Sequence, residues 1–172
     1  MKRNFFNFFS IGLLASGLFF AAPSAMLAQE AVLTRISRNS QIETQMSKMA
    51  LKNSENADVK KFAKQVLKDN NDIGGQVFSA AITYGYHLQV DVPDATSQAE
   101  KKMKQLKGTD FDKMYLVQMD AFLKDNKDVA TQASATKGEG DVSAIGDRLQ
   151  ELVDSRTKDI ASLTQAEGFK IQ

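Results

Sequence analysis

The stretch Asp58-Val59-Lys60-Lys61-Phe62-Ala63-Lys64-Gln65-Val66-Leu67-Lys68-Asp69-Asn70-Asn71-Asp72-Ile73 decides how this chain folds. Val59, Phe62, Ala63, Val66, Asn70 and Ile73 recur at three- and four-residue steps, the spacing of one helix face. Lysines and acids fill the positions between them, so the helix is amphipathic and needs partners to cover its apolar stripe. Asn70 sits in that stripe as an out-of-place polar residue. Three further stretches repeat the pattern. Glu43 lies among Ile36, Met46 and Ala50, and Arg156 falls between Val153 and Ile160. The stripe through Phe111, Met119 and Phe122 has Leu123 at the comparable depth, with Asn126 a turn later. A core-facing Glu or Arg is costly unless paired, so these residues mark a site or the remains of one.

The helix limits follow from local chemistry. The first stripe runs from Val32 to about Asn53, where Asn53-Ser54-Glu55-Asn56 interrupts it and Asn56 is placed to cap the second helix. The second ends near Tyr84, with Gly85 available for a left-handed C-cap. Its Gly74-Gly75 pair costs about 1 kcal/mol per glycine relative to alanine, and reads as a close helix approach or a kink. Residues 86–108 form a connection, extended through Leu88, Val90 and Val92 and turning at Pro93-Asp94. A short helix is expected around Gln98 to Leu106. Thr109 is the expected cap of the third long helix, with Asp112 three residues on. Lys137-Gly138-Glu139-Gly140 forms the turn into a fourth helix, from about Asp141 to Leu163.

Short turns join helices one to two and three to four, and one long link joins two to three. That pattern defines an all-α, ferritin-like four-helix bundle with a crossover between helices two and three.

Glu43, the run Val59-Lys60-Lys61-Phe62-Ala63 with Asp69, and Leu106-x-Gly108-x-x-Phe111-Asp112-x-x-Tyr115-Leu116-x-x-Met119 together resemble the domain-of-unknown-function 4142 family. The resemblance covers nearly all of the chain after its leader. It implies an exported bacterial protein with a ferritin-like bundle. Members of that family commonly carry Asp-His pairs in helices two and three and a His late in helix four. Here the corresponding positions read Asp69-Asn70, Phe122-Leu123 and Arg156, so only Glu43 and Asp69 retain metal-binding side chains. The resemblance thus implies a degenerate interior site formed by Glu43, Asp69, Asn70, Leu123, Asn126 and Arg156.

The N-terminus predicts export. Met1-Lys2-Arg3 is basic, Ile11 to Ala22 is almost wholly small or apolar, and small residues continue to Ala28, the order of a secretory signal peptide. Cleavage is expected near Ala28, with Ser24 and Ala25 as alternative ends, which leaves residues 29–172 as one domain. The apolar run is short for a bilayer span, so no membrane span is expected in the mature chain. Removing residues 1–28 takes the charge count from 22 basic and 21 acidic residues to 20 and 21. That balance gives no basis for nucleic-acid binding or for attraction to an anionic membrane. The absence of cysteine excludes thiolate catalysis and cysteine-ligated metals.

The remaining chemistry is sparse. A ferritin-like di-metal centre needs carboxylates from the helices and Glu-x-x-His spacing. The one histidine, His87, lies in the crossover and outside any such motif. Met46, Met49, Met114 and Met119 could suit Cu(I), but methionine at helical spacing is more often flexible core filling. Glu43 and Arg156 allow two readings: a buried pair in which the guanidinium fork meets one carboxylate twice, or two residues solvated at the bundle edge. No catalytic residue, cofactor or resident metal is expected. The sequence predicts an exported envelope or extracellular protein acting through an unidentified protein partner. The rival expectation is a metal-binding or redox stress protein of ferritin-like type.

Overall fold

The computed structural model describes residues 23–90, 100–136 and 140–169, with side chains from Met26 onward. Most of the expected leader (1–22), the Pro93 turn and residues 137–139 of the last turn lie outside the described residues. Four long helices make the fold: α1 Pro23–Asn53, α2 Ala57–Tyr84, α3 Gly108–Ser134 and α4 Gly140–Ala166. Residues 100–104 add a short helical stretch before α3, and no strand occurs among the described residues.

Local chemistry explains most of the boundaries. The Asn56 side chain accepts hydrogen bonds from the backbone N–H groups of Asp58 at 2.7 Å and Val59 at 3.2 Å, capping α2 as its residue type predicts. Gly85 closes α2 in the left-handed region at φ 71°, where a side chain would be strained. α1 starts earlier than Val32 because nothing from Ser24 to Ala31 breaks a helix, and Pro23 is tolerated at the first helical position. Thr109 is not the cap of α3. The helix begins at Gly108 after an extended Lys107 that makes no side-chain capping bond.

The helices are arranged around the bundle in the order α1, α2, α4, α3, so α1 lies diagonal to α4 and α2 to α3. Cross-helix contacts run antiparallel between neighbours. Asn39 meets Asn126 while Ser47 meets Tyr115, and Asn56 meets Glu167 while Asn70 meets Arg156. It follows that α2 and α3 point the same way, and the crossover must travel the length of α2, about 42 Å for a helix of this size. Its two ends show this. Tyr86 and Leu88 pack into the core at one end of the bundle, and Met103 and Leu106 into the core at the other. This is the ferritin-like connection.

Two apolar clusters fill the interior. One gathers Leu33, Ile36, Ile73, Val77, Val129, Ile145 and Leu149. The other gathers Met46, Phe62, Val66, Phe111, Tyr115, Met119 and Val153. Met49 and Met114 pack against the second cluster, so the four methionines named above serve as core filling. Tyr115 stacks on Phe111 and meets Phe62 edge-on, each with centroids 6.1 Å apart.

The close helix approach expected at Gly74-Gly75 occurs elsewhere. A Cβ at either glycine would meet nothing within 4 Å, and α2 continues through both without interruption. The glycine that brings two helices together is Gly146, where a Cβ would fall 2.3 Å from the backbone nitrogen of Ser134. The close approach at Gly146 was not read from the sequence because its cause, Ser134, lies on another helix.

Candidate functional site

Between the two apolar clusters lies a layer of polar side chains, at least one from each helix. Glu43 of α1, Asp69 and Asn70 of α2, Asn126 of α3 and Arg156 of α4 are all buried. Glu43, Asn70, Asn126 and Arg156 occupy inward positions of their stripes, which is why the helix spacing alone exposed them, whereas Asp69 was implied only by the family resemblance. Glu43 and Arg156 stand on diagonal helices, and Arg156 Nη1 donates to Glu43 Oε2 at 2.8 Å across the middle of the bundle. Their side chains are 1% and 3% exposed, which removes the reading that placed them at the edge.

The guanidinium does not grip one carboxylate twice, as its shape suggested. Its second terminal nitrogen donates to Asn70 Oδ1 at 2.9 Å and reaches Asp69 Oδ2 at 3.5 Å. It therefore spreads its donors over three residues on two helices. Glu43 is satisfied on both oxygens. Oε1 accepts from Asn126 Nδ2 at 2.7 Å, and Oε2 also accepts from Asn70 Nδ2 at 3.1 Å. Asn70 ties the layer to the backbone through the Ser40 carbonyl oxygen at 3.1 Å. The Nε of Arg156 is buried without a hydrogen-bond partner among the described residues.

Position 123 contributes no polar group. Leu123 is buried in the second apolar cluster, and Asn126, one turn on, is the residue of α3 that reaches Glu43. Asn39 is the member that sequence reasoning missed. It lies on the stripe of α1 one turn before Glu43, a signal that was available. Its side chain donates to Asn126 Oδ1 at 2.8 Å and to Asp125 Oδ2 at 2.7 Å, and Arg35 Nη2 donates to Asp125 Oδ1 at 2.6 Å. On the opposite side, Gln65 donates to Asp69 Oδ1 at 2.8 Å. One hydrogen-bonded chain thus crosses the bundle, from Arg35 at the α1–α3 edge to Gln65 on α2.

Charge and burial act against each other at the edge of this chain. Burial alone would raise the Asp125 carboxyl, but hydrogen bonds from Asn39 and Arg35, with the charges of Arg35 and Arg38, outweigh it and hold the group below the usual carboxylate range. Burial likewise pushes the Tyr115 hydroxyl well up, although it shares a 2.9 Å hydrogen bond with Ser47. His87 is exposed in the crossover and takes no part in the layer. Among the described residues no group of three or more His, Cys, Asp and Glu side chains is placed to hold a metal ion.

Outside the layer, a further buried carboxyl lies at the end of the bundle where the α1–α2 turn, the start of α3 and the end of α4 meet. Asp112 Oδ1 is buried without a partner. Burial pushes this carboxyl up. The Ser54 hydroxyl opposes the shift, while the charges of Glu167 and Glu55 add to it and that of Lys60 opposes it. The folded protein thus holds the Asp112 proton more tightly than the unfolded chain, so this group's contribution to stability falls as pH rises above the ordinary carboxylate range. Asp112→Asn should raise the denaturation midpoint at pH 7 by about 1 kcal/mol in free energy. The gain should shrink as the pH is lowered towards the ordinary carboxylate value of about 4, and be lost below it. Denaturant titrations at the two pH values check this, and a loss of stability at both would contradict it.

An antiparallel four-helix bundle with one full-length crossover and a polar layer at mid-depth defines the class as ferritin-like. The model of the domain of unknown function DUF4142 matches residues 19–165, and the chain belongs to that family. Among solved structures it is similar to a DUF305 protein from Streptomyces coelicolor, provisionally designated a secreted protein. The two are 17% identical with a TM-score of 0.74, over 84% of this chain and 95% of the other. At that identity the likeness concerns the fold. No curated protein matches the chain.

Proposed function

We propose that this is an exported protein of the cell envelope or its surroundings with a non-enzymatic interaction or structural role. Its polar layer is a ferritin-like metal site that has lost its imidazoles and been filled by Arg156. The observation carrying this reading is the commitment of both Glu43 oxygens to the chain's own donors, Asn126, Asn70 and Arg156. A cation entering there would meet the guanidinium charge and would have to displace those hydrogen bonds. The donor set, two carboxylates and no imidazole, also fits a di-metal centre poorly. Export is supported by the basic and apolar leader pattern, and no described helix is long and apolar enough to cross a membrane. Maturation near Ala28 would retain Gln29, which accepts a hydrogen bond from the Tyr86 hydroxyl at 2.8 Å. N-terminal sequencing of the exported protein reads that cleavage directly.

A metal-binding or redox role is the second reading. It is favoured by Glu43 and Asp69, two carboxylates brought to the same guanidinium. Restoring nitrogen ligands separates the two. The variant combining Asn70→His, Asn126→His and Arg156→His places three imidazoles beside those carboxylates, a donor set suited to zinc. Position 126 is chosen because Leu123 packs in the apolar core. Calorimetric titration with zinc should show stoichiometric binding by the folded variant and none by the wild type. Stoichiometric binding by the wild type would favour the metal-binding role.

A further inference from the structure

The outer face of α2 carries a feature that the bundle does not use. From Ile73 to Tyr86 the sequence has no charged residue, in a chain that is one quarter charged. Phe78 and Ile82, one turn apart, are each 66% exposed. One turn before Phe78 lie Gly74 and Gly75, with open space where their side chains would be. Two interior glycines weaken a helix, and no packing among the described residues offsets that here. The same glycines and Phe78 line an open groove of about 930 Å³ between α1 and α2. The α1 side of this groove is formed mostly by uncharged polar residues, including Gln41, Thr44 and Gln45.

We infer that this face is a self-association surface, and that its occupant is α2 of a second copy of the chain. In a two-fold contact the same patch meets itself, so residue i touches j′ and j touches i′. An antiparallel pairing centred between Gly75 and Phe78 seats each phenylalanine on the other copy's glycines, and sets each Ile82 near the other Asn71. Knob and notch are therefore supplied by one helix. Charge near such an axis would face its own image, which accounts for the uncharged run. Depletion of charge with an aromatic at the centre is the composition of an interface core, and the amides and hydroxyls of α1 supply a polar rim. This surface is separate from the polar layer, and the inference does not depend on the layer's role.

Sedimentation equilibrium of the purified exported protein, over about 1–100 μM, is the test. The wild type should show a reversible monomer–dimer equilibrium. Phe78→Glu should weaken dimerisation by about 30-fold or more, the effect of removing a central aromatic anchor. The exposed site should leave helical circular dichroism unchanged. The Gly74→Ala, Gly75→Ala double variant provides a second reading that does not risk the fold, because alanine favours helix at open positions. It should raise monomer stability and still weaken the dimer by filling the notch. A wild type that stays monomeric across the range, or a dimer indifferent to both variants, overturns the inference.

Discussion

Arg156→Ala should lower the unfolding free energy by about 3–5 kcal/mol, because it strands a buried carboxylate whose partner has gone. In the wild type, Arg156 Nη1 neutralises Glu43 at 2.8 Å and Nη2 satisfies Asn70 at 2.9 Å. The alanine variant leaves Glu43 with amide donors only and Asn70 Oδ1 with none, in a layer closed above and below by apolar side chains. The comparison that isolates burial is Arg35→Ala. Arg35 pairs with Asp125 at 2.6 Å, but the two side chains are 31% and 40% exposed. Solvent screens such a pair, and its loss should cost about 0–1 kcal/mol. Denaturant midpoints of the two variants, with unchanged slopes, make the measurement. Equal shifts would mean that the interior pair carries no special weight.

Gly146→Ala should cost about 1–3 kcal/mol or more, although alanine is the better helix former. The added methyl would lie 2.3 Å from the backbone nitrogen of Ser134 and 2.7 Å from the Ala133 Cβ. Neither atom is the end of a flexible side chain, so relief requires α3 and α4 to move apart along their crossing. The same move would lengthen the 3.1 Å hydrogen bond from the Ser143 hydroxyl to the Ser134 carbonyl oxygen. Gly74→Ala is the matching control, since its site is open and the exchange should stabilise an isolated chain. Thermal unfolding of the two alanine variants should move in opposite directions.

The fold was legible because each long helix carries a complete apolar stripe and because turn lengths distinguish a crossover bundle from an up-and-down one. Asn56 and Gly85 were legible for a related reason, since capping depends on residues within a few positions of one another. The polar layer was legible in part. Glu43, Asn70 and Arg156 interrupt apolar stripes, and an interruption can be read without knowing its neighbours. Which groups meet depends on the rotation of four helices about their own axes, and the stripe of one helix carries no record of that. Hence Arg156 divides its donors among three residues and Asn126 takes the place expected of position 123, whereas Asn39, on the α1 stripe one turn before Glu43, was as legible as Glu43 itself. The two kinds of glycine are indistinguishable in sequence for the same reason. Gly146 is closed in by Ser134, which is distant in the chain, and Gly74-Gly75 faces open space.

If Arg156 holds the layer together in place of a metal ion, the protein should carry no resident metal. Metal analysis of the protein purified from its native envelope, with no metal added, tests this most directly. Iron, manganese, zinc and copper should each fall far below one equivalent per chain. Any of these at stoichiometric level, lost when Glu43 is replaced by Gln in a variant that remains folded, would contradict this.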